Sequence, residues 1–146
     1  MHEKSRDPSN VYWSWRRHLK AELSTTRIYY NPGSQPKPTD VNQWLIFWIG
    51  PYRAQRWVES TPRLICVQRF DETNEDMMDF VDDVLAAVDR QGNSVKQIDF
   101  YHKPTATIIG TIDVINVAVG PTMEYATGID SIAIDVYTRV KTDRNV

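Results

Sequence analysis

The apolar positions of this chain recur with two periods, and each period marks a class of element. Between Pro8 and Leu23, the residues Val11, Trp15, Leu19 and Leu23 fall four apart with Tyr12 beside them, which predicts an amphipathic helix. Asp7 is placed to cap it, Pro8 suits the first helical position, and Arg16, Arg17 and Lys20 take the remaining surface. The same period returns from Asn74 to Gln91, where Met77, Val81, Val84, Leu85 and Val88 share a face. There Thr73 is the expected N-cap, with Asp76 three residues on, and Gly92 is the expected stop.

Alternation marks the strands. Asn42–Gly50 is apolar on both faces, with Trp44, Ile46 and Trp48 on one and Leu45, Phe47 and Ile49 on the other, so it should be covered from both sides. In Thr61–Phe70, Leu64, Cys66 and Gln68 alternate with Ile65 and Val67. Val95–Tyr101 is a short candidate. Thr107–Val119 is long and β-branched, with Gly110 as a bulge position and Gly120-Pro121 as its expected end. Gly128–Lys141 places Ile132, Ile134, Val136 and Val140 inward and Ser131, Asp135 and Arg139 outward. Asn31–Asp40 (NPGSQPKPTD) has too many prolines for helix or central strand and reads as a surface loop or arm.

These elements predict one α+β domain over residues 1–146: a mostly antiparallel β-sheet packed against one main amphipathic helix, with an extra N-terminal helix. The parts are the helix 8–23, the proline-rich loop 31–40 and the body 42–141.

Charge changes the picture more than composition does. The total is −2, but residues 1–70 hold eleven Lys/Arg against five Asp/Glu, and residues 71–146 hold six against fourteen. All five tryptophans (Trp13, Trp15, Trp44, Trp48 and Trp57) lie in the basic part. Two unlike surfaces suit a partner protein, whereas the overall balance is not that of a nucleic-acid binder. The single Cys66 excludes an internal disulfide and, in the run LICV, reads as a buried structural thiol. The longest apolar run, Trp44–Ile49, falls short of the ~20 residues a membrane span needs, and the polar Met1–Asn10 is not a signal peptide, so no membrane and a cytosol-like compartment are expected.

Catalytic and cofactor motifs are missing. Asp79 and Asp83 stand one turn apart on the acidic helix, but the EF-hand spacing and its glycine are absent, so the acidic face reads as solvated or partner-facing and no metal is expected. His2, His18 and His102 have no metal-ligand spacing, and a proton on His18 is disfavoured among its arginines. There is no GxSxG elbow, no GxxxxGK[ST] loop and no GxGxxG, so neither a catalytic centre nor a cofactor is expected. Trp13, Trp15, Arg16, Arg17, His18 and Lys20 form one basic-aromatic cluster, and GPYRAQRW supplies Arg53, Arg56 and Trp57 as another. Such residues serve protein–protein contacts or, in a competing reading, stacking on nucleic acid. The candidate partner interface is Arg53, Arg56 and Trp57 with Asp79, Asp82 and Asp83.

From about Trp44 to Val140 the chain resembles the phage tail terminator proteins. The resemblance lies in the tryptophan-rich strand WLIFWI, the following strand with Arg63-Leu64-Ile65-Cys66-Val67, and an acidic link into the helix MMDFVDDVLAAV. The closing IDSIAIDVYTRV and the helix before the first strand fit as well, while the proline-rich loop and polar N-terminus depart from the pattern. The resemblance implies a non-enzymatic virion protein, a hexameric ring that caps the tail tube and joins it to the head–tail connector. Its implied partners are further copies of itself, the tube protein, a connector protein and a sheath protein. DNA would pass the lumen only as cargo, and assembly would occur in the host cytoplasm. Another head–tail connector or tail-completion component, or a nucleic-acid-binding module using the Trp/Arg clusters, is the alternative.

Overall fold

The computed structural model describes residues 8–54, 58–89 and 96–142. The expectations for Asp7, Gly92, Arg56 and Trp57 lie outside the described residues. In chain order the elements are α1 (Pro8–Glu22), β1 (Ile28–Tyr30), β2 (Gln43–Trp48), β3 (Tyr52–Ala54), β4 (Val58–Ser60), β5 (Arg63–Arg69), α2 (Glu75–Val88), β6 (Gln97–His102), β7 (Thr107–Ala126) and β8 (Ile129–Thr142). Over the described residues the architecture is α+β: two helices and one mixed eight-stranded sheet.

β8 is the axis of the sheet. One of its edges takes β5 over Ile129–Asp135 and then β4 over Thr138–Val140, while β7 follows the other edge along its length. β2 and β1 extend the sheet beyond β5, β3 lies beyond β4, and β6 lies beyond β7. All pairings are antiparallel except β1 with β2.

The helices cover one face. Val11, Trp15 and Leu19 of α1 and Met77, Val81, Val84 and Val88 of α2 join Leu45, Phe47, Leu64, Cys66, Ile134 and Val136 in the main core. The opposite residues of β2 build a second, smaller core: Trp44 and Ile46 pack with Val67 and Ile129. The covered-on-both-sides expectation for this strand therefore holds for Trp44 through Phe47, while Trp48 at its end is 37% exposed.

Three local expectations are corrected. Gly120-Pro121 does not end β7, which continues to Ala126. Its register against β8 shifts between Val119 and Thr122, so the bulge absorbs the dipeptide, and a proline on an open edge forfeits no ladder hydrogen bond. Thr73 is not the cap of α2. Asn74 takes that position with φ 59° and no side-chain cap bond, and the Asp71 carboxylate accepts the Asp76 and Thr73 backbone N–H groups, each at 3.0 Å. Ser131 is buried, because its side of β8 carries the second core.

The α1 helix also closes a sheet edge. Ser14 Oγ accepts the Tyr101 N–H at 2.8 Å, and Asn10 Oδ1 accepts the Lys103 N–H at 3.0 Å. These two buried polar side chains occupy donors at the end of β6 and just past it that would otherwise be open to another strand.

Candidate functional site

The two helices carry exposed charges of opposite sign. Arg16, Arg17 and Lys20 are exposed on α1, and Asp79, Asp82 and Asp83 are exposed on α2. His18 joins the helices, donating Nε2–H to the Ala87 carbonyl at 2.7 Å. Burial holds its pKa below the usual imidazole value, although the Ala87 bond and the charges of Glu22 and Asp99 oppose the shift. The expectation of a disfavoured proton thus stands with a different first cause: desolvation rather than the neighbouring arginines.

The basic-aromatic cluster of α1 is internally stacked. The Arg17 guanidinium lies 4.4 Å from the Tyr101 ring centroid and 5.5 Å from that of Trp13, and Arg16 lies 4.9 Å from Tyr30. Trp15, counted with the cluster in the sequence, is fully buried. These ring faces are engaged by the chain's own cations, which leaves little aromatic surface for bases to stack on.

Arg53 belongs to a different region. It pairs across the sheet with Glu59, Glu59 with Arg139, Arg139 with Asp113 and Asp113 with Gln97, an alternating row over five strands. Asp113 is buried within it, bonded to Lys141 at 2.9 Å, Thr111 Oγ1 at 2.9 Å and Gln97 at 3.2 Å. Burial raises the Asp113 pKa, but the Lys141 pair and the other donors outweigh it and hold the carboxyl below its usual range. The row joins residues of five strands, so no local sequence signal announces it. Of the expected interface residues, Arg53 stands on β3, the last strand beyond β4, and Asp79, Asp82 and Asp83 stand on α2. Among the described residues no three His, Cys, Asp or Glu side chains cluster as a metal site would require.

The uncovered half of the outer sheet face holds a concave feature. Trp48, Gly50, Pro51, Thr61, Arg63, Ile65, Asp135 and Tyr137 enclose a cavity of about 550 Å³. Arg63 and Asp135 meet across β5 and β8 in a two-point ion pair, Nε to Oδ1 at 2.8 Å and Nη2 to Oδ2 at 3.2 Å. A smaller cleft beside Ile115 shares Thr61 and Tyr137 with the cavity. Sequence reasoning saw Trp48 as an apolar strand residue and Asp135 as an outward one, and 72 positions separate Asp135 from its arginine.

The third surface is a ribbon. Residues 115–126 of β7 pair only with β8 among the described residues, leaving their far edge open. Glu124 is the one charged residue in this stretch, and Ile115, Val119 and Met123 are 58%, 49% and 60% exposed. An extended strand with so few charges and this much exposed apolar surface has the composition of an interface centre.

No family model matches the chain, and no curated protein matches it. Solved structures do share the fold: one aligns over 94% of this chain and 97% of its own at 9% identity, with a TM-score of 0.67.

Proposed function

We propose that this chain is a structural component of a phage tail, a terminator that forms a hexameric ring, caps the tail tube and joins it to the head–tail connector. The reading is non-enzymatic. Its chief support is the β7–β8 ribbon, where an apolar strand and its edge stand uncovered among the described residues.

A ring of identical subunits needs two different patches on each copy, since head-to-tail contacts join unlike surfaces. The ribbon supplies one extended surface, and the basic α1 and acidic α2 faces supply a pair able to set register by opposite charge. The tube protein would meet one side of the ring, and a connector protein the other. A sheath protein is a candidate neighbour on the outside.

Electron micrographs of the purified protein, alone and mixed with isolated tail tubes, test the proposal. Rings, or caps at tube ends, are the expected images. Dispersed particles that ignore the tubes would overturn it.

A further inference from the structure

The outer sheet face is covered over one half, and the cover is the chain's own proline-rich segment. Tyr125 Oη donates to the Pro36 carbonyl at 2.6 Å. Arg69 donates through Nη2 to the Pro38 carbonyl and through Nε to the Val41 carbonyl, the latter at 3.3 Å. Its guanidinium lies 5.6 Å from the Trp44 ring centroid, and Trp44 packs edge-on to Tyr125. Tyr125 and Arg69 thus hold the segment by its carbonyls, and Trp44 packs its ring against both of them. The chemistry suits proline, which has no N–H to be satisfied and leaves extended carbonyls free to accept.

The open half carries the same three side-chain types. Trp48 follows Trp44 by four residues on the same face of β2, and Tyr137 and Arg63 stand around the cavity beside it. Arg63 uses Nε and Nη2 on Asp135, so Nη1 remains to donate. The Tyr137 hydroxyl and the Trp48 indole N–H make no hydrogen bond among the described residues. The cavity borders the occupied half, since Ile65 both packs against the Trp44 cluster and lines the cavity wall. Gly50 shapes the opposite wall: its φ is +71° and an added Cβ would lie 2.0 Å from the Thr61 carbonyl oxygen, so the turn closes tightly only with glycine.

We propose that this cavity binds an extended, proline-containing segment of a partner protein, seated between Trp48 and Tyr137 with its carbonyls accepting from Arg63, Tyr137 and Trp48. Aromatic-lined grooves with a few donors are a recurring way to hold such segments, and a volume of about 550 Å³ is in the range of specific pockets. The site goes beyond the ring reading and stands without it.

Calorimetric titration of the full chain tests the site, with the decapeptide NPGSQPKPTD as probe and a copy with its three prolines replaced by alanine as control. Saturable one-site binding of the first is expected, with the control about ten-fold weaker. Trp48→Ala and Tyr137→Ala should each weaken binding about ten-fold, and Trp48→Phe, which keeps a ring and loses the N–H, less. Far-UV circular dichroism verifies that each variant is folded. Absence of saturation overturns the proposal, as does equal affinity in folded Trp48→Ala and Tyr137→Ala. Loss of self-association in these variants without peptide binding by the parent chain also overturns it, and assigns the face to a second copy.

Discussion

His18 and Cys66 show how burial decides the chemistry of single residues here. Cys66 is fully buried in the main core, and burial alone pushes its thiol up to about 12, so it remains protonated and unreactive at neutral pH. His18 is held neutral by burial while its Nε2–H ties α1 to α2. Its folded pKa lies below the unfolded value of about 6.5, so the unfolded chain takes up the proton first. The stability it supports is therefore complete above that value and declines as the pH falls below it. Urea unfolding at about pH 7.5 and 5.5 should show a lower midpoint at the acid value. His18→Gln keeps a donor for Ala87 without a titrating ring and should shrink the difference between the two midpoints.

At the scale of elements, the β7–β8 pair is limited by backbone approach. The sequence marks Gly110 as a bulge position, and the register shift of β6 against β7 does fall beside it, with Ile109 as the extra residue. The structure adds a steric reason for the glycine: a Cβ there would lie 1.8 Å from the Lys141 carbonyl oxygen. Gly110→Ala must push the end of β8 outward and should cost about 1–3 kcal/mol by denaturant unfolding. Gly33→Ala, with nothing within 4 Å of its added Cβ, is the matched control and should change stability little. The capping of α2 has a similar lesson. Thr73 stands at the right offset from the apolar run, but the backbone turns left-handed at Asn74 and delivers the Asp71 carboxylate to the Asp76 N–H, leaving Thr73 Oγ1 only a 3.4 Å bond from the Glu75 N–H.

For the whole molecule, the charge split becomes a matter of surface placement. The acidic residues Asp79, Asp82 and Asp83 and the basic residues Arg16, Arg17 and Lys20 lie on adjacent helices, both packed on one face of the sheet. If unlike patches set the register of a ring, its assembly should respond to ionic strength and to charge. Size-exclusion chromatography with light scattering at roughly 0.05 and 1 M salt should show a smaller mean mass at high salt. The combined Asp79→Asn, Asp82→Asn and Asp83→Asn variant should show the smaller mass already at low salt. A monomer under every condition would count heavily against self-assembly.

Periodicity by itself determined both helices, the main strands and the α+β class, because one buried face imposes a period of 3.6 or 2 on the residues that fill it. Val11, Trp15 and Leu19, and Leu45 and Phe47 opposite Trp44 and Ile46, stand where that rule puts them. The three-residue strands β1, β3 and β4 were not legible as separate strands, since so short a segment shows no period and becomes a strand only through its neighbours. The continuation of β7 through Gly120-Pro121 was decided by its place at an open edge, which local turn chemistry cannot report. The acidic candidates Asp79, Asp82 and Asp83 could be placed on a helix face from sequence, but the Trp48–Arg63–Asp135–Tyr137 cavity could not. Its members come from three strands, and only pairing β2, β5 and β8 in register brings them to one face.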